Sequence, residues 1–145
     1  MNILIGLGNP GEEYAFTYHN AGRMFLEYLA KKESLALKKV SHKHFSAAKT
    51  KGGTALVIAE TFMNESGSAV HEAITFFAGD RNEESTIAAP HRSVIIIHDD
   101  SDLSLGTYRF TQGGGSAGHH GIDSVIAALG TPDFWRVRIG IRNRE

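Results

Sequence analysis

Apolar positions along the chain fall into short runs and helical stripes, separated by turn residues. Ile3 to Leu7 is an apolar run that stops at Gly8-Asn9-Pro10-Gly11, where the Asn-Pro and Pro-Gly pairs enforce a turn, and it predicts a short buried strand. Asn20 stands at a helix N-cap position, before Met24, Phe25, Tyr28 and Leu29 on one helical face. Phe45 to Thr50 and Ala55 to Ala59, joined by Lys51-Gly52-Gly53-Thr54, predict a β-hairpin whose second arm is the more apolar. From Ser66 onward Ala69, Val70, Ala73, Ile74 and Phe77 keep helical spacing up to a C-cap at Gly79, and polar Asp80 to Arg92 reads as an exposed loop. Val94 to Ile97 is β-branched throughout, as in a central strand covered on both faces, and it runs into His98-Asp99-Asp100-Ser101-Asp102. Thr107 to Thr111 alternates like a less buried strand, and Gly113-Gly114-Gly115 breaks it. Ile122, Val125, Ile126 and Leu129 mark a helix ending at Gly130, and Trp135 to Ile141 closes the series as a strand. Alternating strands and helices predict an α/β fold, a three-layer α/β/α sandwich around a twisted mixed sheet, with polar clusters at the strand ends.

Composition narrows this picture. The 145 residues fit one domain, residues 1–145, and 41% hydrophobic with 21% charged residues is a globular balance. There is no cysteine, which excludes disulfides, a cysteine nucleophile and a thiolate metal site. No apolar run is long enough to span a membrane, and no basic or long apolar leader precedes Ile3, so a cytoplasmic chain is expected. The net charge of -1 is uninformative until its distribution is read. Seven lysines (31, 32, 38, 39, 43, 49 and 51) face one acid, Glu33, in the first basic window, and four arginines lie between Arg136 and Arg144 without an acid. Eleven of the 15 basic residues therefore fall in two windows, enough for a basic face toward nucleic-acid phosphates.

Several motifs compete for the chemistry. Gly6-Leu7-Gly8-Asn9-Pro10-Gly11 spells a dinucleotide fingerprint, but Pro10 forces a turn where a helix should open onto a pyrophosphate. Gly114-Gly115-Ser116-Ala117-Gly118 spells a nucleophile elbow, yet no histidine follows His120 to complete a hydrolase triad on Ser116. Eight histidines invite a metal reading, but neighbours such as His119 and His120 point apart, and Asp100 with Asp102 reads as acidic turn residues rather than a magnesium site. His19 is the stronger candidate. It precedes a helix start, where the macrodipole disfavours imidazolium and keeps a neutral base available, and Asp99 is placed to hold its other ring nitrogen. Asn9 and Asn64 sit in turns after, respectively, a strand and Phe62-Met63, where their amides can orient a carbonyl or stabilise an oxyanion, or simply form the turn.

Taken together, Gly6 to Gly11, Tyr14 with Thr17 to Gly22, Thr61 to Gly67, His98-Asp99 with Asp102-Leu103, Gly113 to Gly115 with Gly118-His119, and Arg136 to Ile141 resemble the bacterial peptidyl-tRNA hydrolase family. The resemblance covers the chain from first strand to last and implies hydrolysis of the ester between a peptide and the terminal ribose of tRNA. By position, it makes His19 the base that activates water, Asp99 its orienter, and Asn9 and Asn64 the groups that bind and polarise the peptide end. Tyr14, Phe62 and Met63 would shape the cleft with His119 lining it, and Arg138 and Arg109 would hold tRNA phosphate. The expected partner is peptidyl-tRNA, met by a monomer that uses no cofactor and no metal. Three departures stand out. His120 occupies a position where the family usually has a water-holding asparagine. Thr111 replaces a lysine of the phosphate clamp, and the family continues past Glu145 to a C-terminal helix that helps handle tRNA, so a shortened form is expected. The alternatives are a non-catalytic RNA-binding relative, like the plant one that assists chloroplast intron splicing, and a serine esterase acting through Ser116.

Overall fold

A computed structural model of the chain describes residues 1–78 and 93–143. The expected loop 80–92 and the C-cap at Gly79 lie outside the described residues. Seven strands form one mixed sheet: β1 (Ile3–Gly6), β2 (Lys38–Lys39), β3 (Phe45–Lys49), β4 (Ala55–Ala59), β5 (Val94–Ser104), β6 (Tyr108–Gln112) and β7 (Trp135–Arg142), in the order β2-β3-β4-β1-β5-β7-β6. The central strands β4, β1, β5 and β7 are parallel, while β2, β3 and β6 pair antiparallel at the two sides. The helices are α1 (Ala21–Lys32), α2 (Ser66–Ala78) and α3 (His120–Leu129).

Strand alternation divides the core into two layers. Ile3, Ile5, Val57, Val94 and Ile96 pack under α2 and α3 with Val70, Ile74, Ile122 and Val125. Leu56, Ile58 and Ile97 face α1 through Leu26 and Ala30. The α/β/α sandwich is therefore the observed architecture, and the hairpin arms and the Gly130 cap, left-handed at φ 73°, lie where the pattern put them.

Three local expectations are corrected. The face of α1 on the sheet is Gly22, Leu26 and Ala30, whereas Met24, Phe25 and Tyr28 are exposed. Asn20 makes no side-chain cap bond to α1; its amide reaches across to the backbone of Asn9 instead. Asp100 and Asp102 are not in a turn, because β5 continues along β7 after its pairing with β1 ends at Ile97.

β1 lies between β4 on one side and β5 on the other, so the strand order reverses at β1 and a crevice opens beyond its carboxyl end. The loops after β1 and β4 and the continuation of β5 meet there. Close packing draws α1 into the same corner: a Cβ on Gly22 would lie 2.0 Å from the carbonyl oxygen of Ile97, so only glycine fits.

Candidate active site

The 3₁₀ turn Tyr18–Asn20 ahead of α1 presents His19 to β5, where its Nδ1 lies 2.8 Å from Asp99 Oδ2. The carboxylate can only accept, so Nδ1 carries the proton and Nε2 keeps its lone pair. The His19 side chain is 62% exposed and Asp99 only 3%, which puts a buried carboxylate behind an imidazole open to solvent. His119 reaches the same carboxylate, its Nε2 2.7 Å from Asp99 Oδ1. The side chain of His119 also caps α3, with Nδ1 accepting from the Ile122 amide at 3.1 Å. That cap fixes the tautomer: Nδ1 is bare and Nε2–H donates to Asp99. The rings of His19 and His119 meet edge to face, with centroids 5.9 Å apart.

His19, Asp99 and His119 offer ligand atoms within 4.8 Å of one another, a spacing that could hold a metal ion. The tautomer works against it. A metal on His119 Nε2 would move the proton to Nδ1, where it would face the Ile122 N–H.

His98 lies beneath His119, ring centroids 4.9 Å apart, and its Nδ1 donates to the Asp99 carbonyl at 2.7 Å. Burial, with the neighbouring His119 second, pushes the His98 pKa down to about 4 against the pull of Asp99 and Asp100, so the ring is neutral. Asp100 has the opposite balance. Burial raises its pKa, but the Asp102 amide and the Arg138 guanidinium outweigh this and hold the carboxyl below its ordinary value. Arg138 Nε donates to Asp100 Oδ2 at 2.7 Å.

His19, His98, Asp99, Asp100 and His119 line a cavity of about 190 Å³ together with Ser116, Ala117 and Gly118. Among the described residues Ser116 has no histidine partner; its hydroxyl accepts from the Gly118 amide, and positive φ falls on Gly114, Ala117 and Gly118 rather than on Ser116. The nucleophile-elbow spelling is thus part of a loop around the His19 site. Arg136 shapes this loop from below. It is buried, stacks on Phe134 and donates to the carbonyls of Gly114, Gly115 and Pro132.

The remaining candidates lie on the other loops. Asn9 Oδ1 accepts from the Met63 amide at 2.7 Å, so its Nδ2 is the end left to donate to a ligand. Asn20 holds the backbone of Asn9 at both its N–H and C=O, at 2.7 and 2.9 Å. Met63 is a core residue, 8% exposed, and Asn64 beside it is exposed on the turn Met63–Glu65. Tyr14 and Phe62 meet edge to face at 6.3 Å. His120 is exposed at the first position of α3 and does not line the His19 cavity. Arg109 is exposed directly opposite Arg138 in the β6–β7 register. Sequence reasoning did not foresee the His119–Asp99 bond, the Asn20 clamp or the Arg136 support. An asparagine before a helix signals a cap, and nothing local signals a partner eleven residues away.

Residues 3–145 match the model of the peptidyl-tRNA hydrolase family. A peptidyl-tRNA hydrolase of Pelobacter propionicus is 40% identical over 97% of this chain and 69% of its own length. One of Prochlorococcus marinus is 44% identical over 96% of this chain and 65% of its own. The crystal structure of peptidyl-tRNA hydrolase from Acinetobacter baumannii superposes with a TM-score of 0.82 at 36% identity, covering 99% of this chain and 69% of that one. The chain thus spans about two thirds of the length of these relatives, and across that span it belongs to the peptidyl-tRNA hydrolase family.

Proposed function

We propose that His19, oriented by Asp99, is the general base with which this chain hydrolyses the ester of peptidyl-tRNA. The observation that carries the assignment is the 2.8 Å bond from His19 Nδ1 to a buried carboxylate, with Nε2 left open at the switch point of the sheet. A water on Nε2 gives up its proton as its oxygen attacks the ester carbonyl carbon. The negative charge that develops on the carbonyl oxygen meets Asn9 Nδ2, with Asn64 on the adjoining turn as a second amide donor. When the tetrahedral intermediate collapses, the C–O bond to ribose breaks and the imidazolium returns its proton to the leaving ribose oxygen, releasing free tRNA and a peptide acid. His119 steadies Asp99 from the other side and lines the substrate cleft, whereas His120, exposed at the start of α3 and outside that cavity, has no assigned part in the step. Tyr14, Phe62 and Met63 form the wall around the peptide end, while Arg138 and Arg109 take phosphate. Nothing in this scheme calls for a cofactor or a metal. The dyad is complete within one chain, which supports action as a monomer, and the substrate arises in translation, which supports a cytoplasmic location. Among the described residues no helix is long and apolar enough to cross a membrane.

Turnover of N-acetylaminoacyl-tRNA tests the reading. His19→Ala should lose about 10² to 10⁴ in kcat, the contribution of a positioned base. A variant as fast as the wild type, or a wild type that releases no peptide, overturns it. Ser116→Ala should keep nearly the full rate, and a loss of about a thousandfold would favour a serine esterase.

A further inference from the structure

Three aromatic side chains, Tyr14, Phe16 and Tyr18, alternate along the five residues before His19. Tyr14 is half-buried against Phe62, but Phe16 is 91% exposed and Tyr18 56%. A lone exposed apolar side chain needs no explanation. This one is held out by a well-bonded corner. The 3₁₀ turns Glu12–Tyr14 and Tyr18–Asn20 flank it. Between them the Ala15 amide bonds to Glu12, the Thr17 amide and hydroxyl bond to the Tyr14 carbonyl, and the Asn20 amide bonds to Thr17. Phe16 thus stands exposed on a fixed corner three residues from the base, with the exposed Tyr18 two residues along the chain.

The chemistry of the substrate says what meets such a surface. The ester that His19 must reach is carried on the terminal ribose of an unpaired 3′ end, so the last bases of the tRNA are covalently held close to the catalytic water. Proteins hold unpaired bases by stacking them on aromatic rings, without regard to sequence. Charge distinguishes base from backbone here. Glu12 and Glu13 precede the aromatics, and no lysine or arginine occurs before Arg23. This loop repels phosphate, whereas the face of a neutral base is indifferent to the acids.

We propose that Phe16, with Tyr18, is a stacking platform for an unpaired base at the 3′ end of the tRNA. The proposal rests on the hydrolase reading and adds a nucleobase subsite to it. In full-chain protein, Phe16→Ala should raise KM for N-acetylaminoacyl-tRNA by about 5- to 100-fold, the range for losing one stacked base, while most of kcat remains. Phe16→Trp should keep the wild-type KM. The slope of log(kcat/KM) against log salt should be the same in both variants, because no phosphate contact is lost. The RNA trimer cytidylyl-cytidylyl-adenosine, which has no ester and no peptide, should bind Phe16→Ala more weakly than wild type by a similar factor. An unchanged KM in Phe16→Ala overturns the proposal. So does a loss that varies with the peptide and spares the trimer, which would assign Phe16 to the peptide. A wild type that binds the trimer through Phe16 yet releases no peptide would sink the hydrolase reading and leave the platform standing.

Discussion

Asp99 divides its two oxygens between two imidazoles, and that division fixes the protonation of both. An asparagine there has one oxygen and one NH₂, so one ring must turn or take the wrong tautomer. Asp99→Asn should therefore cost about 10³ to 10⁴ in kcat, as when a triad carboxylate becomes an amide, with a smaller change in KM; steady-state kinetics on peptidyl-tRNA measures both. His120 makes a different test. If its ring holds the water despite lying outside the His19 cavity, His120→Ala should lower kcat while His120→Asn keeps it, and an unchanged kcat in both variants would take His120 out of the mechanism. His98 makes a prediction about stability. Its pKa is lowered from 6.5 to about 4, so below pH 6.5 the unfolded chain binds a proton that the folded chain refuses. Stability should fall as pH drops from 6.5 toward 4, by on the order of 3 kcal/mol, and then level for this group. Asp100, held below its ordinary 3.8, adds a loss only at lower pH. Urea midpoints at stepped pH should show the first loss in wild type and a flatter response in His98→Phe. At this scale the pairing of His19 with Asp99 was legible, because a helix start and a strand end place the two residues. His119 as the second partner of Asp99 was not, since a bond spanning 20 residues leaves no local trace.

Elements were legible where bulky apolar side chains carry the period. The β-branched run of β5 and the alternation of β1 and β4 match the two core layers residue by residue. Helix α1 shows where this fails. Pattern reading weights Met24, Phe25 and Tyr28, but the helix approaches the sheet through Gly22, Leu26 and Ala30, and close approach demands small residues that carry little hydrophobic signal. The extension of β5 past Ile97 was hidden for a related reason: polar residues form strand there because β7 offers backbone partners, not because an apolar face is buried. The tight contact at Gly22 couples packing to chemistry. A methyl at this position would meet the Ile97 carbonyl at 2.0 Å and push the start of α1, with His19 just ahead of it, away from Asp99. Gly22→Ala should lower stability by about 1 to 3 kcal/mol, the range for overpacking, and reduce kcat even at temperatures where the variant is fully folded. Urea denaturation and turnover on one preparation separate the two effects, and full kcat in a destabilised variant would mean that α1 does not set the position of His19.

The whole molecule redistributes the charge that its sequence concentrates. The two basic windows suggested one face for tRNA, but the fold divides the first of them, leaving Lys43, just ahead of Phe45 opposite Ala59, toward the end where β4 finishes. β1 and β4 run side by side toward the catalytic end, so the tip of the β3–β4 hairpin, with Lys51, and the end of α1, with Lys31 and Lys32, lie at the opposite end of the sheet. In the second window Arg136 is spent on the glycine loop, and Arg144 lies outside the described residues. This leaves Arg142, exposed at the end of β7, Arg138, which gives Nε to Asp100 and keeps its terminal nitrogens without a partner among the described residues, and Arg109 directly across from Arg138. Like charges on facing strand positions repel in the free protein, and a phosphate between them would relieve the repulsion. Arg109→Ala should therefore lower kcat/KM at low salt and reduce the magnitude of the slope of log(kcat/KM) against log salt by about 0.7 to 0.9, the loss of one phosphate contact. Lys51→Ala, at the far end of the sheet, should leave that slope near its wild-type value. Equal reductions in the two variants would show instead that tRNA follows the protein along the full length of the sheet, from Arg109 to the hairpin tip at Lys51.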